Sequence, residues 1–389
     1  MTAATPAEMP DLPAPVLGGI WRYGARPLGG RSNGLNLIRL VLAAMVLFAH
    51  GFYLAGAGHG PIVNGHNIGG WAVMGFFAIS GYLITGSRLR KSLGSYLVLR
   101  VARIFPAFLV CLCVIAFVFT PFAYHRTHGT LDGVGTTPTT PLDFVFVNAG
   151  LHINTWECAG TPAGLPYGDP VWNGSLWSLY YEFLCYLIIA ALMSMTLFRA
   201  SAWPTGVALG VSVVVFANVE RLMPYVGHNV DVRLLLQLLP FFLSGAWLYM
   251  LRDRIAFTWP VASGALVVGV VVAQVPSWGP QLAAPCLAYV VLWLGAVVRS
   301  PRLVAANDIS YGFYIYAWPS QQLLAMFGVH ALGIGYYLDI VVYDLAAVAL
   351  TVPFAVGSWL LIERRMLDRA RKVTSVRRAG AQAATPEKV

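Results

Sequence analysis

Long apolar segments recur along the chain, and shorter polar stretches separate them. A helix that crosses a hydrocarbon core of about 30 Å requires about 20 consecutive apolar residues. The pattern therefore predicts an all-α fold with about ten transmembrane helices. The predicted spans are Leu37–Ala55, Ile68–Ser87, Ile104–Tyr124, Ser175–Leu197, Pro204–Leu222, Val232–Leu251, Trp259–Val275, Gln281–Val298, Ile309–Phe327 and Tyr337–Leu361.

The composition of the chain favours an outer surface that faces lipid. Apolar residues make up 58% of the sequence and charged residues 11%, and the mean hydropathy is +0.68. Soluble domains usually carry about 25% charged residues. One very large soluble core is excluded as well, because single cores stop growing at roughly 250–300 residues. The lipid bilayer is therefore the first partner that the sequence predicts.

The positive charges are distributed unevenly between the two sides of the predicted bundle. If the N-terminus is inside and the loops alternate, 22 of the 25 lysines and arginines lie on the inner side. The residues left outside are Arg126, Arg221 and Arg233. This bias follows the positive-inside rule and predicts that both ends of the chain face the cytoplasm. It also accounts for the net charge of +9, so no nucleic-acid partner is expected.

Polar segments flank and interrupt the predicted spans. Residues 1–35 are rich in Pro, Gly and Ala, lack the apolar core of a signal peptide and are predicted to be a flexible cytoplasmic tail. Residues 36–365 form the predicted membrane domain, and residues 366–389 form a basic cytoplasmic tail. Residues 125–173 form a long outer loop inside the membrane domain, and loops of this length are usually functional or disordered.

Two ionisable residues lie inside the first predicted span, where they are costly and therefore candidates for function. Arg39 and His50 are eleven residues apart, so they share one helical face at a separation of about 16 Å along the axis. A histidine can accept a proton near neutral pH, as the activation of a hydroxyl group requires. The alternative is a hydrogen-bonded histidine and a snorkelling arginine without a catalytic role.

The inner loop after the second span carries a dense group of cations: Arg88, Arg90, Lys91, Arg100 and Arg103. Arg100 and Arg103 are three residues apart and therefore share a helical face. Guanidinium groups suit phosphate oxygens, which indicates a site for a phosphorylated cytoplasmic cofactor. The alternative is a topology signal that contacts anionic lipid.

A carboxylate lies about two turns into the fourth predicted span, in the segment NGSLWSLYYEFLCY. Glu182 requires a partner there: an arginine, a histidine, sugar hydroxyls or a structural hydrogen bond to a neighbouring helix. Trp177 could stack on a sugar ring or belong to the interfacial belt of tryptophans. Ser175 and Tyr181 of the same segment are further candidates for substrate binding.

The other polar residues give weaker signals. Asp308 is predicted to cap the ninth span, and the sequence does not decide between Asp339 and Asp344 as functional residues near the outer end of the last span. The cysteines form no pattern typical of disulfides or zinc ligands. The histidines are scattered, so no metal site is expected.

Six blocks of the sequence resemble, in the same order, the membrane-bound acyltransferase-3 family of bacterial enzymes that O-acylate cell-surface and secreted glycans. The blocks are NLIRLVLAAMVLFAH, GFFAISGYLITGS, RVARIFP, NGSLWSLYYEFLCY, PFFLSGAWLY and ISYGFYIYAWP. The resemblance covers roughly Asn33 to Arg365. Two departures exist: Ala317 stands where members often have a histidine before Trp-Pro, and Arg365 replaces a frequent proline after Glu363-Arg364.

The resemblance implies transfer of an acyl group, acetyl first of all, from cytoplasmic acetyl-CoA or another acyl-CoA to a glycan hydroxyl outside. It implies that Arg100, Arg103 and Arg88 bind the CoA phosphates and that Arg39 steers the thioester. His50 is the general base or a transient acyl carrier. The implied contacts to the acceptor come from Glu182, Trp177, Ser175 and Tyr181.

Several alternatives stay open at the level of sequence. A glycan transporter or a flippase for a lipid-linked intermediate would share the number of helices and the intramembrane charges, and a membrane scaffold would share the helices. The acyl group could be acetyl, succinyl or longer, and the acceptor glycan is undefined. The resemblance implies the bacterial cytoplasmic (inner) membrane as the location, with a homo-oligomer or glycan-assembly proteins as possible partners.

Overall fold

The computed structural model describes Leu28 and residues 33–383. The predicted tail over residues 1–35 therefore lies almost entirely outside the described residues, and so do residues 384–389 of the predicted C-terminal tail. The described chain is built mainly from helices, as the apolar pattern predicts.

The helices follow one another with short connections, except for one long irregular segment between the fifth and the sixth. They are α1 (Leu35–Leu54), α2 (Ile68–Arg90), α3 (Leu93–Val114), α4 (Thr120–His128), α5 (Pro141–Asn148), α6 (Trp177–Leu192), α7 (Thr196–Ala200), α8 (Trp203–Ala217), α9 (Val219–Leu222), α10 (Val230–Met250), α11 (Trp259–Val272), α12 (Gly279–Leu282), α13 (Ala284–Val297), α14 (Arg302–Ala306), α15 (Ser310–Met326), α16 (Tyr336–Ser358) and α17 (Arg364–Ala383). Strands β1 (Ile62–Val63) and β2 (His66–Asn67) form a small antiparallel hairpin.

Five helical segments within the described residues are long and apolar enough to cross a membrane, and a sixth is obtained if α8 and α9–Val226, bent by 73°, form one span. The five segments are Leu35–Leu54, Ile68–Arg90, Leu93–His128, Val230–Met250 and Tyr336–Ser375. Helices α6, α11 and α13 are apolar but shorter. Each predicted span overlaps a helix, whereas the number ten and the orientation of the ends remain predictions.

Helices α2 and α10 cross at very short distance because both have glycine at the crossing point. A Cβ atom on Gly81 would lie 1.9 Å from the carbonyl oxygen of Phe242. A Cβ atom on Gly245 would lie 1.9 Å from the carbonyl oxygen of Ala78. Small residues at such crossings bring two backbones together, which is how helices pack where the hydrophobic effect contributes little.

Helix α15 lies in the interior of the helix bundle. Every residue from Ser310 to Gln322 is buried, including polar side chains that lipid would not tolerate. It packs against α1 and α16, which enclose it on two sides. The residues that α15 carries are therefore held among other helices.

The last helical segment is continuous from α16, through the π-helical turn Trp359–Glu363, into α17. Residues 366–383, predicted as part of a polar tail, are thus helical. Ala370 of α17 packs against Leu99 and Ala102 of α3. The first turns of α17 are therefore packed against α3.

The long segment predicted as an outer loop contains α5 and a compact arrangement of irregular backbone. Trp172 is fully buried and donates a hydrogen bond from Nε1 to Thr161 Oγ1 at 3.1 Å. Cys158 is buried beside it, and burial raises the pKa of its thiol to about 11. All five cysteines are free thiols.

Candidate active site

Four charged side chains form a continuous ion-pair chain where α1, α3, the start of α15 and the π-helical turn after α16 meet. Arg39 Nη1 lies 2.6 Å from Asp308 Oδ2, and Arg103 Nη2 lies 2.7 Å from the same oxygen. Arg103 Nη1 also lies 3.1 Å from Glu363 Oε2. The four side chains are at most 20% exposed, so the solvent screens these charges weakly.

Asp308 joins two arginines from different helices. Burial alone would raise the pKa of its carboxyl group, but Arg39 and Arg103 outweigh burial and hold that pKa below its usual range. Its Oδ1 accepts a hydrogen bond from Ser310 Oγ at 2.6 Å, in keeping with the position before α15. The bridging role was missed from the sequence, because Arg39 is 269 residues away in the chain.

A small cavity of about 40 Å³ lies next to this ion-pair chain. Arg39 and Glu182 line it together with Ser178, Ser310 and Tyr314, and its other lining residues are apolar or aromatic. The structure thus brings two of the predicted catalytic residues to one cavity.

Glu182 is held in place by hydroxyl groups. Its Oε1 accepts hydrogen bonds from Ser80 Oγ at 2.6 Å and from Tyr186 OH at 2.7 Å. No arginine or histidine forms a salt bridge with Glu182 among the described residues. The fixed carboxylate therefore adds a negative group to the cavity wall opposite the positive end of Arg39.

The arginines of the inner loop differ in their surroundings. Arg103 has two carboxylate partners, as described above. The guanidinium carbon of Arg100 lies 5.9 Å from the ring centres of both Tyr96 and Tyr186, and its Nε is buried without a hydrogen-bond partner. In the described part of the chain Arg100 forms no salt bridge. Its positive charge therefore has no ion-pair partner, unlike that of Arg103, and Glu182 acts on it from beyond ion-pair distance.

Arg88 is buried and is bound by neutral groups. Its Nη2 donates to Ser194 Oγ at 2.8 Å and its Nη1 donates to the carbonyl oxygen of Lys91 at 3.1 Å. Arg199 lies close enough to act electrostatically on Arg88, and neither pairs with a carboxylate within the described residues. Arg199 was missed because it follows a different predicted span and belongs to no motif.

His50 lies toward the other end of α1 and contacts α15. Its ring packs edge-on against the ring of Trp318, with 4.5 Å between the ring centres. Its Nδ1 is buried and has no hydrogen-bond partner. An imidazole nitrogen without a partner is free to accept a proton, whereas a structural histidine usually has both nitrogens satisfied.

Asp344 of α16 approaches α1 directly beside His50. A Cβ atom on Gly51 would lie 2.2 Å from Asp344 Oδ1, so only glycine leaves room for this carboxyl group. Gln321 Nε2 donates to that oxygen at 3.1 Å and to the carbonyl oxygen of Leu47 at 3.0 Å. Asp344 Oδ2 and Gln321 Oε1 are buried without partners. We call His50, Trp318, Gln321 and Asp344 the outer polar cluster.

The two aspartates between which the sequence did not decide differ in their surroundings. Asp339 is exposed and accepts hydrogen bonds from the backbone of Gly333 and Ile334, as a turn requires. Asp344 is buried one turn further along the same helix. The sequence could not separate them, because both lie on an apolar helix without a motif.

The predicted substrate-binding residues of α6 and the turn before it do not join this cluster. Tyr181 OH donates to Asp231 Oδ1 at 2.7 Å, and the ring of Trp177 packs against that of Tyr181. Ser175 is buried, and its carbonyl oxygen accepts a hydrogen bond from Tyr314 OH at 3.0 Å. Within the described residues, Trp177, Ser175 and Tyr181 form no hydrogen bond, ion pair or ring contact with His50.

Helices α1 and α15 run side by side and carry both groups of residues. Arg39 pairs with Asp308 near the start of the two helices, and His50 meets Trp318 about three turns further along both. The small cavity extends from Arg39 and Ser310 to Tyr314 of α15, and neither His50 nor Trp318 lines it. The shared face that the sequence predicts for Arg39 and His50 is thus turned toward the protein interior.

Comparisons with known proteins identify the family of this chain. The model of an acyltransferase domain, the acyltransferase-3 family, matches residues 32–362. The chain therefore belongs to the acyltransferase-3 family and is an enzyme, an O-acetyltransferase. The matched range includes every residue of the ion-pair chain except Glu363, and all of the outer polar cluster.

Two relatives align with this chain over nearly their whole length. An O-acetyl transferase of Shigella phage Sf6 is 28% identical over an alignment of 370 residues, which covers 87% of this chain and 97% of the relative. Nodulation protein 10 of Rhizobium leguminosarum bv. viciae is 28% identical over an alignment of 360 residues, which covers 86% of this chain and 93% of the relative. No solved structure matches the chain significantly.

Proposed function

We propose that this enzyme transfers the acetyl group of cytoplasmic acetyl-CoA to a hydroxyl group of a cell-surface or secreted glycan on the outer side of the bacterial cytoplasmic membrane. The observation that carries the proposal is the pairing of α1 with α15. One end of this pair lies beside buried cations, and the other holds a histidine whose Nδ1 has no partner. About ten spans with both ends inside would place these ends on opposite sides of the membrane.

The donor is held from the cytoplasmic side. Arg100 and Arg88, with Arg199 nearby, carry positive charges without carboxylate partners, and phosphates of CoA would supply the missing anions. Arg103 has a different role, because its two carboxylate partners already neutralise it. Arg103 then fixes the position of Asp308, which in turn orients Arg39.

The thioester passes the small cavity on its way to the outer side. Arg39 and Glu182 line this cavity, so the guanidinium group is placed to hydrogen-bond an amide oxygen of the pantetheine arm while the thioester lies further along α1. The pantetheine arm would extend along α1 toward His50. In a site that excludes water, such a hydrogen bond is stronger than it is in solution.

His50 acts as the general base in the transfer step. Its imidazole takes the proton of the acceptor hydroxyl while the hydroxyl oxygen forms a bond to the carbonyl carbon of the thioester. The carbon–sulfur bond then breaks, and CoA leaves as a thiolate that takes up the proton. Asp344, whose carboxyl group lies against Gly51, the residue after His50, stabilises the positive charge of the imidazolium.

The acceptor approaches from the outer segment. Trp318 and Gln322 both donate hydrogen bonds to the carbonyl oxygen of Val171, so this segment lies directly over the outer polar cluster. A sugar hydroxyl that enters here would reach His50. Ser175, Trp177 and Tyr181 would contribute at the edge of this entrance.

The test is transfer by purified protein in lipid nanodiscs, with radioactive acetyl-CoA and total surface glycan of the host as acceptor. His50→Ala is expected to reduce transfer at least about 100-fold, because general-base catalysis contributes 10²–10⁴-fold. His59→Ala is the matched control, since His59 is exposed just after the same helix. Unchanged transfer by His50→Ala would remove His50 from the mechanism.

A further inference from the structure

A second and larger cavity lies beyond the outer polar cluster. It has a volume of about 620 Å³ and lies between the end of α4, residues 163–166 of the outer segment and the end of α15. Arg126, Leu165, Ala325, Phe327 and His330 are among the residues that line it. In the described part of the chain, Arg126 and His330 are the only titratable residues of the lining, and no carboxylate contributes to it.

The side chain of Arg126 is fixed but its charge is not compensated. Its Nε donates a hydrogen bond to the carbonyl oxygen of Met326 at 3.1 Å, and its guanidinium carbon lies 4.9 Å from the ring centre of Phe327. Among the described residues no carboxylate forms a salt bridge with it. Its two Nη groups remain as a rigid, planar pair of donors, which fits a carboxylate or a phosphate.

His330 provides a second polar group in the wall. It lines the same cavity, and its buried Nδ1 has no hydrogen-bond partner. Because Nδ1 is closed off from the cavity, a ligand there would meet the other ring nitrogen, Nε2, which can donate a hydrogen bond to an anion. The ring of His330 also contacts Tyr343, the neighbour of Asp344, with 6.3 Å between ring centres.

The cavity adjoins the place where the hydroxyl group would react. Trp318, Ala325 and Tyr343 belong to one apolar cluster, against which Leu165 of the cavity wall packs. Ala325 lies seven residues after Trp318 on α15, which is a distance of about 11 Å along the helix. A ligand group in the cavity and a hydroxyl group at His50 can therefore belong to one acceptor molecule.

We propose that this cavity, the outer anion site, binds a carboxylate or phosphate group of the acceptor glycan, on a sugar near the one that is acylated. The inference rests on the proposed function and specifies its substrate class: the acceptor is an acidic glycan. Arg126 supplies the bidentate contact, and His330 supplies a further hydrogen bond. Neutral glycans lack the anion and bind more weakly.

The test measures binding without depending on acyl transfer, so its failure and the failure of the proposed function can be told apart. The probes are the methyl glycoside of a glucuronic acid–glucose disaccharide and the same compound with glucose in place of glucuronic acid. Saturation-transfer NMR gives their affinities for the full-length protein in phosphatidylcholine nanodiscs. The variants are Arg126→Gln and, as a matched control, Arg221→Gln, another exposed arginine of the predicted outer side.

The expected result is at least about tenfold tighter binding of the acidic disaccharide by the natural protein, since hydrogen bonds between charged groups contribute about 1.5–3 kcal/mol. Arg126→Gln should abolish this preference, and Arg221→Gln should retain it. Equal affinity of the natural protein for both disaccharides would overturn the proposal. So would loss of binding when phosphatidylglycerol is added to the nanodiscs, because the cavity would then belong to lipid headgroups.

Discussion

His50 and Arg39 lie on the same face of one helix, yet their polar atoms differ in whether they have hydrogen-bond or ion-pair partners. Arg39 has a carboxylate partner at 2.6 Å, whereas the Nδ1 atom of His50 has no partner at all. Both residues could be predicted as functional from the sequence, because ionisable groups inside an apolar helix are rare. The carboxylates near them could not be predicted. Asp308, which pairs with Arg39, and Asp344, which lies beside His50, are distant in the sequence and are brought close only by the fold.

The neighbourhood of His50 leads to a prediction for Asp344. Asp344→Asn keeps the shape of the side chain but removes the negative charge that would stabilise an imidazolium. We expect kcat to fall about 10- to 100-fold, the range of a charged hydrogen bond of about 1.5–3 kcal/mol, with little change in KM for acetyl-CoA. Steady-state transfer kinetics measure this. Asp339→Asn on the exposed turn is the control, and an equal loss in both variants would contradict the role of Asp344.

The contrast between Arg100 and Arg103 leads to a second prediction. Arg100→Gln should raise KM for acetyl-CoA about tenfold or more and leave thermal stability nearly unchanged, because Arg100 has no salt bridge to lose. Arg103→Gln should destabilise the protein by about 3–5 kcal/mol, since it leaves the buried carboxylate of Glu363 without a cation and removes one of the two cations that pair with Asp308. Steady-state kinetics and thermal unfolding in detergent distinguish the effects of the two substitutions. If Arg103→Gln raised KM for acetyl-CoA without destabilising the protein, Arg103 would instead bind the donor.

At the level of helices, the apolar runs were sufficient to place each predicted span on a helix. The details that the runs did not reveal have local causes. The bend of 73° after α8 occurs at Asn218, and a continuous helix through Glu363 replaces the predicted end of the last span. Periodicity reports which residues are apolar, but it does not report where a helix bends or how far it continues beyond lipid.

The crossing of α2 and α10 gives a prediction at this scale. Gly81→Ala would place a methyl group where the carbonyl oxygen of Phe242 lies, so the two helices must move apart. We expect a lower melting temperature and a lower yield of monodisperse protein, with a cost of about 1–3 kcal/mol for overpacking. Size-exclusion chromatography and thermal unfolding measure this. Gly94→Ala, at an open position of α3, should behave like the natural protein.

In the predicted topology, the positive charges lie mainly on one side of the helix bundle. The bias of arginines and lysines could be counted from the sequence, and it predicted which side faces the cytoplasm. The two cavities could not be foreseen, because their walls combine distant segments: the smaller one joins α1, α2, α6 and α15. The long polar segment was recognised as important, but its position over the outer polar cluster depends on hydrogen bonds to the backbone of Val171.

The narrowness of the cavity beside Arg39 bears on which acyl donors the enzyme can use. Its volume of about 40 Å³ holds only a few water-sized groups, since one water requires at least about 10–15 Å³ by the same measure. An acetyl group requires less of this space than a butyryl group, so we expect acetyl-CoA to be preferred over butyryl-CoA. Phe76 forms part of the wall, so Phe76→Ala should raise the rate ratio of butyryl to acetyl transfer about tenfold, at about 0.8 kcal/mol for each added methylene.

The measurement is competition between butyryl-CoA and acetyl-CoA, with Phe48→Ala, which contacts Phe52 away from this cavity, as the control. An unchanged ratio in Phe76→Ala would mean that the acyl chain does not pass through the cavity. If the ratio changes as expected, the size of the Phe76 side chain determines which acyl chain length the enzyme prefers. Related enzymes could then exchange one acyl donor for another by resizing that ring, without altering any charged group.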